Sequence, residues 1–282
     1  MTATTERLTA TIGVGGMTVH LHVHVQDAAF LHMVEDRYSG FPGSLKTAEC
    51  NFDVELLPDH LDGKEFTLGL DPDEDVQVWR EGHVWNFTRG DFRAQWNPEQ
   101  RRGHIRQRAN PYSVDSVLRI VHTLALARQG GFLVHAASAI RNGKAFLFSG
   151  VSGAGKTTIT RLAPPDATLL TDEISYVRRA ANGYGSYIAY GTPFAGELAK
   201  PGENVQAPID TLYLLAQGPV NRIDSIASPS EAAGALLRNI LFFAHDAELV
   251  EQVFQAALDF VQRVPVKRLT FLPDARVWDF IQ

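Results

Sequence analysis

The stretch Gly150-Val151-Ser152-Gly153-Ala154-Gly155-Lys156-Thr157 fits the phosphate-binding pattern G-x-x-x-x-G-K-[ST]. Its three glycines allow tight backbone turns and a close approach to a ligand, because no Cβ intrudes. The N–H groups of such a loop point at phosphate oxygens, and the helix predicted to begin near Lys156 adds the positive end of its dipole. In this loop type the lysine reaches the β- and γ-phosphates, and the hydroxyl of Thr157 binds Mg²⁺. We therefore expect the loop, with Thr158 as its last residue, to bind the phosphates of a nucleotide.

The residues on either side of the loop support this prediction. An apolar strand ends at Phe148, and a second apolar strand is predicted over Ala167–Thr171. The order strand, helix, strand is typical of parallel pairing. In phosphate-loop proteins a carboxylate at the end of the neighbouring strand holds the metal, and here Asp172 follows that strand directly. The alternative is a glycine-rich turn ahead of an ordinary helix.

The adjacent acids Asp172 and Glu173 are considered for two roles, metal binding and proton acceptance. Adjacent residues on a strand point to opposite sides, but both side chains can reach one site where the chain turns. We expect Asp172 to bind Mg²⁺, and either Asp172 or Glu173 to accept the proton of an attacking hydroxyl. The alternative for both is a solvated strand end.

A histidine, His135, lies on the strand predicted over Phe132–Ile140, just ahead of a hairpin turn at Asn142-Gly143. On spacing alone, a single histidine among apolar residues is more often a hydrogen-bonded core residue than a functional one.

These segments together resemble the HPr kinase/phosphorylase group. The resemblance covers roughly residues 110 to 175, and a weaker likeness extends to about residue 275. It rests on a strand with a histidine, a hairpin, a phosphate loop and a strand that ends in paired acids. The matching segments are His135-Ala136-Ala137-Ser138-Ala139, Asn142-Gly143-Lys144, Phe148 to Thr158 and Leu169 to Glu173.

The resemblance implies a mixed α/β fold with a P-loop kinase core of the HPr kinase type. It also implies transfer of a phosphoryl group from ATP to a serine hydroxyl with Mg²⁺, so that ATP and Mg²⁺ are the expected cofactors. Carried over, one acid of the pair accepts the hydroxyl proton, His135 lies close to the reacting centre, and Lys156 and Thr157 hold phosphates and metal. A further metal-binding acid of that group has Glu197 as its counterpart here. The pair is Asp-Glu in this chain and Asp-Asp in the bifunctional enzymes of the group. The catalytic arginine of the group is not assigned, and Arg222, Arg238 and Arg263 are candidates.

The whole-chain composition is that of a folded globular protein. The chain has 282 residues, of which 45% are hydrophobic and 21% charged, and its formal net charge is −6. This mild acidity argues against nucleic acid as a partner. One cysteine excludes an intrachain disulfide, and no signal peptide or membrane span is apparent, so we expect a soluble, cytoplasmic protein.

We expect two domains: a β-rich N-terminal region over residues 1–105, which would bind substrate or partner, and a P-loop domain over residues 106–282. The first hundred residues are interpreted as strands. In the second domain a helix capped by Ser113 and ending near Gly130 is expected. The other expected strands are Met17–Val25, Cys50–Leu56, Val76–Trp79, Val84–Thr88, Ala145–Phe148, Tyr184–Tyr190, Thr211–Leu215 and Val266–Phe271, and the other expected helices are Glu231–Phe243 and Ala247–Val261.

Two polar groups in the N-terminal half remain open. His20, His22 and His24 lie on one strand face and are either a metal site or, more often, a solvated face. A basic cluster is either a site for an acidic peptide or phosphate, or a charged loop. That cluster comprises Arg101, Arg102, Arg106 and Arg108.

Three functions remain compatible with the sequence. The first is a kinase whose acceptor is a serine hydroxyl of a protein, peptide or small molecule. The second is a nucleotide-binding regulator without turnover, and the third is a P-loop phosphotransferase with a non-serine acceptor. No membrane partner is expected, and homo-oligomerisation is left open.

Overall fold

The computed structural model describes residues 6–57, 75–180, 187–198 and 200–281. The fold is mixed α/β, with one sheet of seven strands and one of nine. The chain forms two compact units, Met1–Val121 together with Phe243–Asp246, and His122–Phe242 together with Ala247–Gln282. The expected boundary at 105/106 lies within a strand, and the division of the two units at 121/122 lies within a helix.

The first unit contains the seven-stranded sheet, in the order β1-β2-β3-β7-β6-β5-β4. Its strands are β1 (Arg7–Val14), β2 (Met17–His24), β3 (Cys50–Leu56), β4 (Gln77–Glu81), β5 (Val84–Arg89), β6 (Phe92–Asn97) and β7 (Arg102–Gln107). The alternation predicted for β2 holds only from Leu21 to His24: Val19, Leu21 and Val23 are buried on one face, but Thr18 and His20 on the opposite face are buried as well.

Two predictions for this unit were wrong. The region is not strands alone, because α1 (Ala28–Arg37) follows β2 and buries Phe30, Leu31 and Val34 at helical spacing. The basic cluster is not a charged loop, because its middle part is strand β7, parallel to β3 and antiparallel to β6. There Arg106 forms an ion pair with Glu55 of β3, Nε to Oε2 at 2.9 Å.

The helix α2 (Pro111–Ala127) starts earlier than predicted. Asn110 caps it, because its Oδ1 accepts a hydrogen bond from the N–H of Tyr112 at 2.9 Å. Ser113 instead lies in the first turn, and its hydroxyl donates to Asp91 Oδ2 at 2.8 Å. Gly130 follows the helix in the left-handed conformation, φ +68°, as a C-terminal glycine should.

The second unit contains the nine-stranded sheet and three further helices. Its strands are β8 (Phe132–Arg141), β9 (Lys144–Ser149), β10 (Thr168–Thr171), β11 (Ile174–Arg179), β12 (Tyr187–Tyr190), β13 (Gln206–Gln217), β14 (Arg222–Ser225), β15 (Ile240–Leu241) and β16 (Val266–Phe271). Its helices are α3 (Lys156–Arg161), α4 (Pro229–Leu237) and α5 (Ala247–Arg263).

Strand β8 pairs with four other strands of this sheet, β9, β10, β11 and β15. The hairpin predicted at Asn142-Gly143 is confirmed, with φ values of +53° and +75° at the two turn residues. The predicted pairing of β9 with β10 was wrong. Both strands are antiparallel to β8, so they run in the same direction but have β8 between them.

Some element bounds also differ from expectation. The helix predicted over Glu231–Phe243 ends at Leu237, because the chain then forms β15 against β8. Strand β11 was not predicted, and β13 is longer than predicted. Residues 184–186 of the predicted strand Tyr184–Tyr190 lie outside the described residues.

Strands β9, β13 and β16 are parallel neighbours, and their carboxyl ends therefore lie at one edge of the sheet. Leu147, Leu212 and Phe146 are buried along these central strands. The edge where they end is where ligands bind in open α/β sheets. Among the described residues, no helix has the length and apolarity needed to cross a bilayer.

Candidate functional site

The glycine-rich loop joins the end of β9 to α3. Gly153 and Gly155 have φ values of +79° and +106°, the left-handed region that favours glycine. A Cβ at position 155 would lie 2.7 Å from Cζ of Phe271, so a side chain there would also collide with β16. The amide Nε2 of Gln217, at the end of β13, donates to the carbonyl oxygen of Gly153 at 2.7 Å. The loop is thus held by Gln217 at the end of β13 and packs against Phe271 at the end of β16.

Lys156 begins α3 and folds back over the loop. Its Nζ donates to the carbonyl oxygen of Gly150 at 3.0 Å. Burial lowers the pKa of Lys156, and the negative charges of Glu173 and Glu197 act in the opposite direction. A lysine in a glycine-rich loop, with two carboxylates nearby, suits an anionic ligand that binds together with a cation.

The acidic pair lies in a two-residue bend between β10 and β11. The hydroxyl of Thr171 accepts the N–H groups of Glu173 and Ile174, both at 3.2 Å, and this stabilises the bend. Because the chain turns there, Asp172 and Glu173 line one cavity and do not point to opposite faces of a strand.

Asp172 holds a second loop in place. It is 3% exposed, and its two oxygens accept the N–H groups of Gly196 and Leu198, each at 2.9 Å. Glu197 lies between these two donors and is itself exposed. The predicted metal residues Asp172 and Glu197 are therefore physically connected.

His135 lies on β8 opposite Ile174 of β11, one residue before β8 begins to pair with β9. Its backbone N–H donates to the carbonyl oxygen of Asn239 at 2.7 Å, and its backbone carbonyl oxygen accepts a hydrogen bond from the hydroxyl of Ser149 at 3.0 Å. Its side chain is half-buried and lines the same cavity as the acidic pair.

The cavity has a volume of about 210 Å³. It brings together residues from the loop, β8, the acidic bend and the 196–198 loop. Its lining residues are His135, Ser152, Gly153, Gly155, Lys156, Thr157, Thr158, Asp172, Glu173, Gly196 and Glu197. Of the predicted loop residues, Gly150, Val151 and Ala154 do not line it: Val151 is 77% exposed, and Ala154 is buried against the sheet.

The oxygen donors in this cavity suit Mg²⁺. Thr157, Asp172 and Glu197 supply a hydroxyl and two carboxylates, which are the hard ligands that this ion prefers. Mg²⁺ usually takes only one or two protein carboxylates and completes its shell with water and phosphate oxygens. Over the described residues, no group of three or more His, Cys, Asp or Glu side chains is placed so that it could hold a metal ion by itself.

Other residues considered from the sequence are engaged elsewhere. The ring nitrogen Nε2 of His20 lies 2.7 Å from the carbonyl oxygen of Ser44, and Nδ1 of His22 lies 2.8 Å from Oγ1 of Thr9. The side chains of two of the three histidines are therefore hydrogen-bonded within the first unit. Arg222 and Arg263, considered for a catalytic arginine, pair with Asp224 and Asp259.

Three residues of the site were missed in the sequence. Thr171 shapes the acidic bend, Gly196 donates to Asp172, and Gln217 holds the loop. A threonine just before an acidic pair is a turn signal that could have been noticed. No local pattern identifies Gln217, because its role depends on strand order.

The chain was compared with known proteins. A family model described as SynChlorMet cassette protein ScmC matches residues 106–282, more than half of the chain. No curated protein matches. Among solved structures, the Hpr(Ser) kinase/phosphatase from Coxiella burnetii is similar at 12% identity, over 49% of this chain and 78% of that chain, with a TM-score of 0.26. A likeness at this level supports no assignment of activity, so the function has to be argued from the site.

Proposed function

The chain belongs to the ScmC family, and from the site in its matched segment we propose that it is an ATP-dependent kinase with a P-loop core of the HPr kinase type. It would transfer the γ-phosphoryl group of ATP to a serine hydroxyl of a protein, peptide or small molecule. The observation that carries this proposal is the single cavity lined by Lys156, the glycine-rich loop and the acids Asp172, Glu173 and Glu197.

The phosphate groups would lie against the loop. Backbone N–H groups and the ammonium of Lys156 stabilise the negative charge on the transferring group, and such preorganised donors supply most of the catalysis in phosphoryl transfer. Lys156 is half-buried, so its charge acts more strongly on a phosphate than that of a fully exposed lysine would. Mg²⁺, held by Thr157, Asp172 and Glu197, would neutralise phosphate charge when bound.

The acceptor hydroxyl needs a base. Each oxygen of Asp172 already accepts one backbone hydrogen bond, which leaves it fewer lone pairs for a substrate hydroxyl. We therefore assign the base to Glu173 and the positioning of the Glu197 loop to Asp172. The hydroxyl oxygen attacks the γ-phosphorus, its proton goes to Glu173, and the bond to the β-phosphate oxygen breaks to release ADP. His135 would lie beside this reacting centre.

The experiment is phosphoryl transfer from γ-labelled ATP in the presence of Mg²⁺ and serine-containing acceptors. We expect labelled phosphoserine with the wild type and none with Lys156→Ala. The matched control is Lys144→Ala, since Lys144 is exposed on the β8–β9 turn and pairs with Asp210 outside the cavity. It should leave transfer unchanged.

Other outcomes identify the other functions. Label on another residue type would indicate a phosphotransferase with a non-serine acceptor. Binding of ATP without consumption, unaffected by loss of Asp172 and Glu173, would indicate a nucleotide-binding regulator and would overturn the kinase proposal.

A further inference from the structure

A second cavity, of about 530 Å³, adjoins the acidic one. Gly155 and Thr158 line both cavities, so the glycine-rich loop separates them. The rest of its lining comes from the chain just at and beyond the ends of β13 and β16, namely Gln217, Gly218, Phe271 and Pro273. A volume of this size is in the range of small-molecule sites.

The position of this cavity follows from strand order. In the parallel set β9, β13 and β16, Leu214 is in register with Ser149, and Gln217 with Phe271. Strands β13 and β16 therefore end together, and β9 ends three residues earlier, so the loop after β9 runs alongside the last residues of β13, where Gln217 contacts Gly153. Ligands of α/β sheets bind outside the carboxyl ends of such strands.

The chemistry of the walls differs between the two cavities. None of the acids in the first cavity, nor His135, lines the second. Its walls include the ring of Phe271, which packs on Gly155, and the exposed ring of Pro273. A cavity without a base or a charged group suits the unreactive, largely apolar end of a ligand whose charged end lies on the loop.

The side-chain amide of Gln217 is one of the polar groups that line this cavity, together with Thr158. The amide of Gln217 is fixed, because its Nε2 donates to the carbonyl oxygen of Gly153. Over the described residues, its Oε1 accepts no hydrogen bond. An amide held in this way offers an acceptor to an amino group of a ligand.

We propose that this second cavity binds the base and ribose of a nucleoside triphosphate whose phosphates lie on the glycine-rich loop. This inference rests on the proposed function and adds to it the site of the nucleoside. The base packs on Phe271 and Pro273, and Gln217 joins the base site to the phosphate loop. The acceptor substrate enters the acidic cavity from the other side of the loop.

The test compares ATP with inorganic tripolyphosphate, which has the phosphates and no nucleoside. Binding of both is measured by calorimetry, in the presence of Mg²⁺, to the full chain. We expect the wild type to bind ATP at least about fivefold more tightly than tripolyphosphate, since contacts of one base with an aromatic wall are worth about 1 kcal/mol or more. Pro273→Trp, which fills the cavity, should remove this preference and leave tripolyphosphate affinity unchanged. Pro165→Trp, at an exposed proline that lines neither cavity, should leave both affinities unchanged.

The outcomes separate the two proposals. If the wild type binds ATP and tripolyphosphate equally, and Pro273→Trp changes neither, the nucleoside site is overturned while the phosphate loop stands. If Pro273→Trp does not fold, the affinities of the wild type for ATP and tripolyphosphate decide alone, and equal affinities overturn the nucleoside site. If the wild type binds neither compound, the proposed function is overturned, and the nucleoside site with it.

Discussion

The carboxylate of Asp172 accepts the backbone N–H of Gly196 at 2.9 Å, and through this bond the acidic bend fixes the loop that presents Glu197. The backbone of Gly196 also lies close to Glu173, because a Cβ on residue 196 would lie 2.8 Å from Cβ of Glu173. The two acidic segments of the site are thus one structural unit, although 24 residues separate Asp172 from Gly196 in sequence. Its integrity can be measured without any substrate.

Asp172→Asn should loosen this unit. The asparagine amide replaces one acceptor oxygen by an N–H donor, so one of the two backbone N–H groups loses its partner. We expect a loss of about 1–3 kcal/mol in the free energy of unfolding, measured by urea denaturation. Glu197→Gln is the control, since Glu197 is exposed and should change stability by less than about 0.5 kcal/mol. Equal stabilities for the two variants would contradict the anchoring role of Asp172.

The two left-handed glycines of the loop should respond differently to alanine. Gly153→Ala places a Cβ in open space and should cost only the strain of its φ value, about 1–2 kcal/mol. Gly155→Ala adds a collision with the ring of Phe271 and should lower the free energy of unfolding by about 1–3 kcal/mol more than Gly153→Ala does. Urea denaturation of both variants measures the difference. A larger loss for Gly153→Ala would show that Phe271 does not pack on the loop as described.

Nucleotide affinity should fall at alkaline pH as Lys156 loses its proton. Burial lowers the pKa of Lys156 below its usual 10.5, while the negative charges of Glu173 and Glu197 raise it. Glu197→Gln removes one of these charges, so the fall in affinity should move to lower pH. ATP binding followed from pH 7 upward tests this. Glu203→Gln, an exposed acid outside the cavity, should not move the profile, and a shift equal to that of Glu197→Gln would count against the assignment.

A buried histidine should make the protein acid-sensitive. His122 is fully buried, packs edge-on against Tyr176 and, within the described chain, has no hydrogen-bond partner on either ring nitrogen. Burial lowers the pKa of His122 from 6.5 to about 3. The unfolded chain therefore binds a proton below pH 6.5 that the folded chain does not, and stability falls as the pH drops from 6.5 towards 3.

His122→Phe tests this effect. The histidine accounts for a slope of at most about 1.4 kcal/mol per pH unit in that window. The variant should have a flatter stability profile between pH 6.5 and 4, measured by urea denaturation at each pH. Parallel profiles for the variant and the wild type would show that His122 is not the titrating group.

Much of the site could be predicted because it is local in sequence. The glycine-rich loop, the hairpin before it and the acidic pair are each set by a few adjacent residues, and the structure brings Lys156, Glu173 and His135 to one cavity. Strand order could not be predicted, because insertion of β8 between β9 and β10 depends on pairing across the whole sheet. For the same reason Gln217 was missed: it reaches Gly153 only because β13 lies beside β9.

Errors in the first unit have a different cause. The basic cluster was interpreted as a loop from its charge, yet β7 tolerates arginines because every second residue faces away from the core. Arg106 then finds Glu55 across the parallel pair, a partner that charge alone does not reveal. Similarly, α1 is short and follows a strand directly, so its three buried positions give little periodicity to detect.

The most direct test of the central claim is a crystal structure of the chain with a non-hydrolysable ATP analogue and Mg²⁺. We predict that the triphosphate lies against residues 150–157, with Lys156 released from the carbonyl oxygen of Gly150 and bound to phosphate, and with Asp172 and Glu173 facing the γ-phosphate. A structure in which the analogue binds elsewhere, or in which the loop keeps Lys156 on Gly150 and remains without phosphate at saturating analogue, would contradict the account.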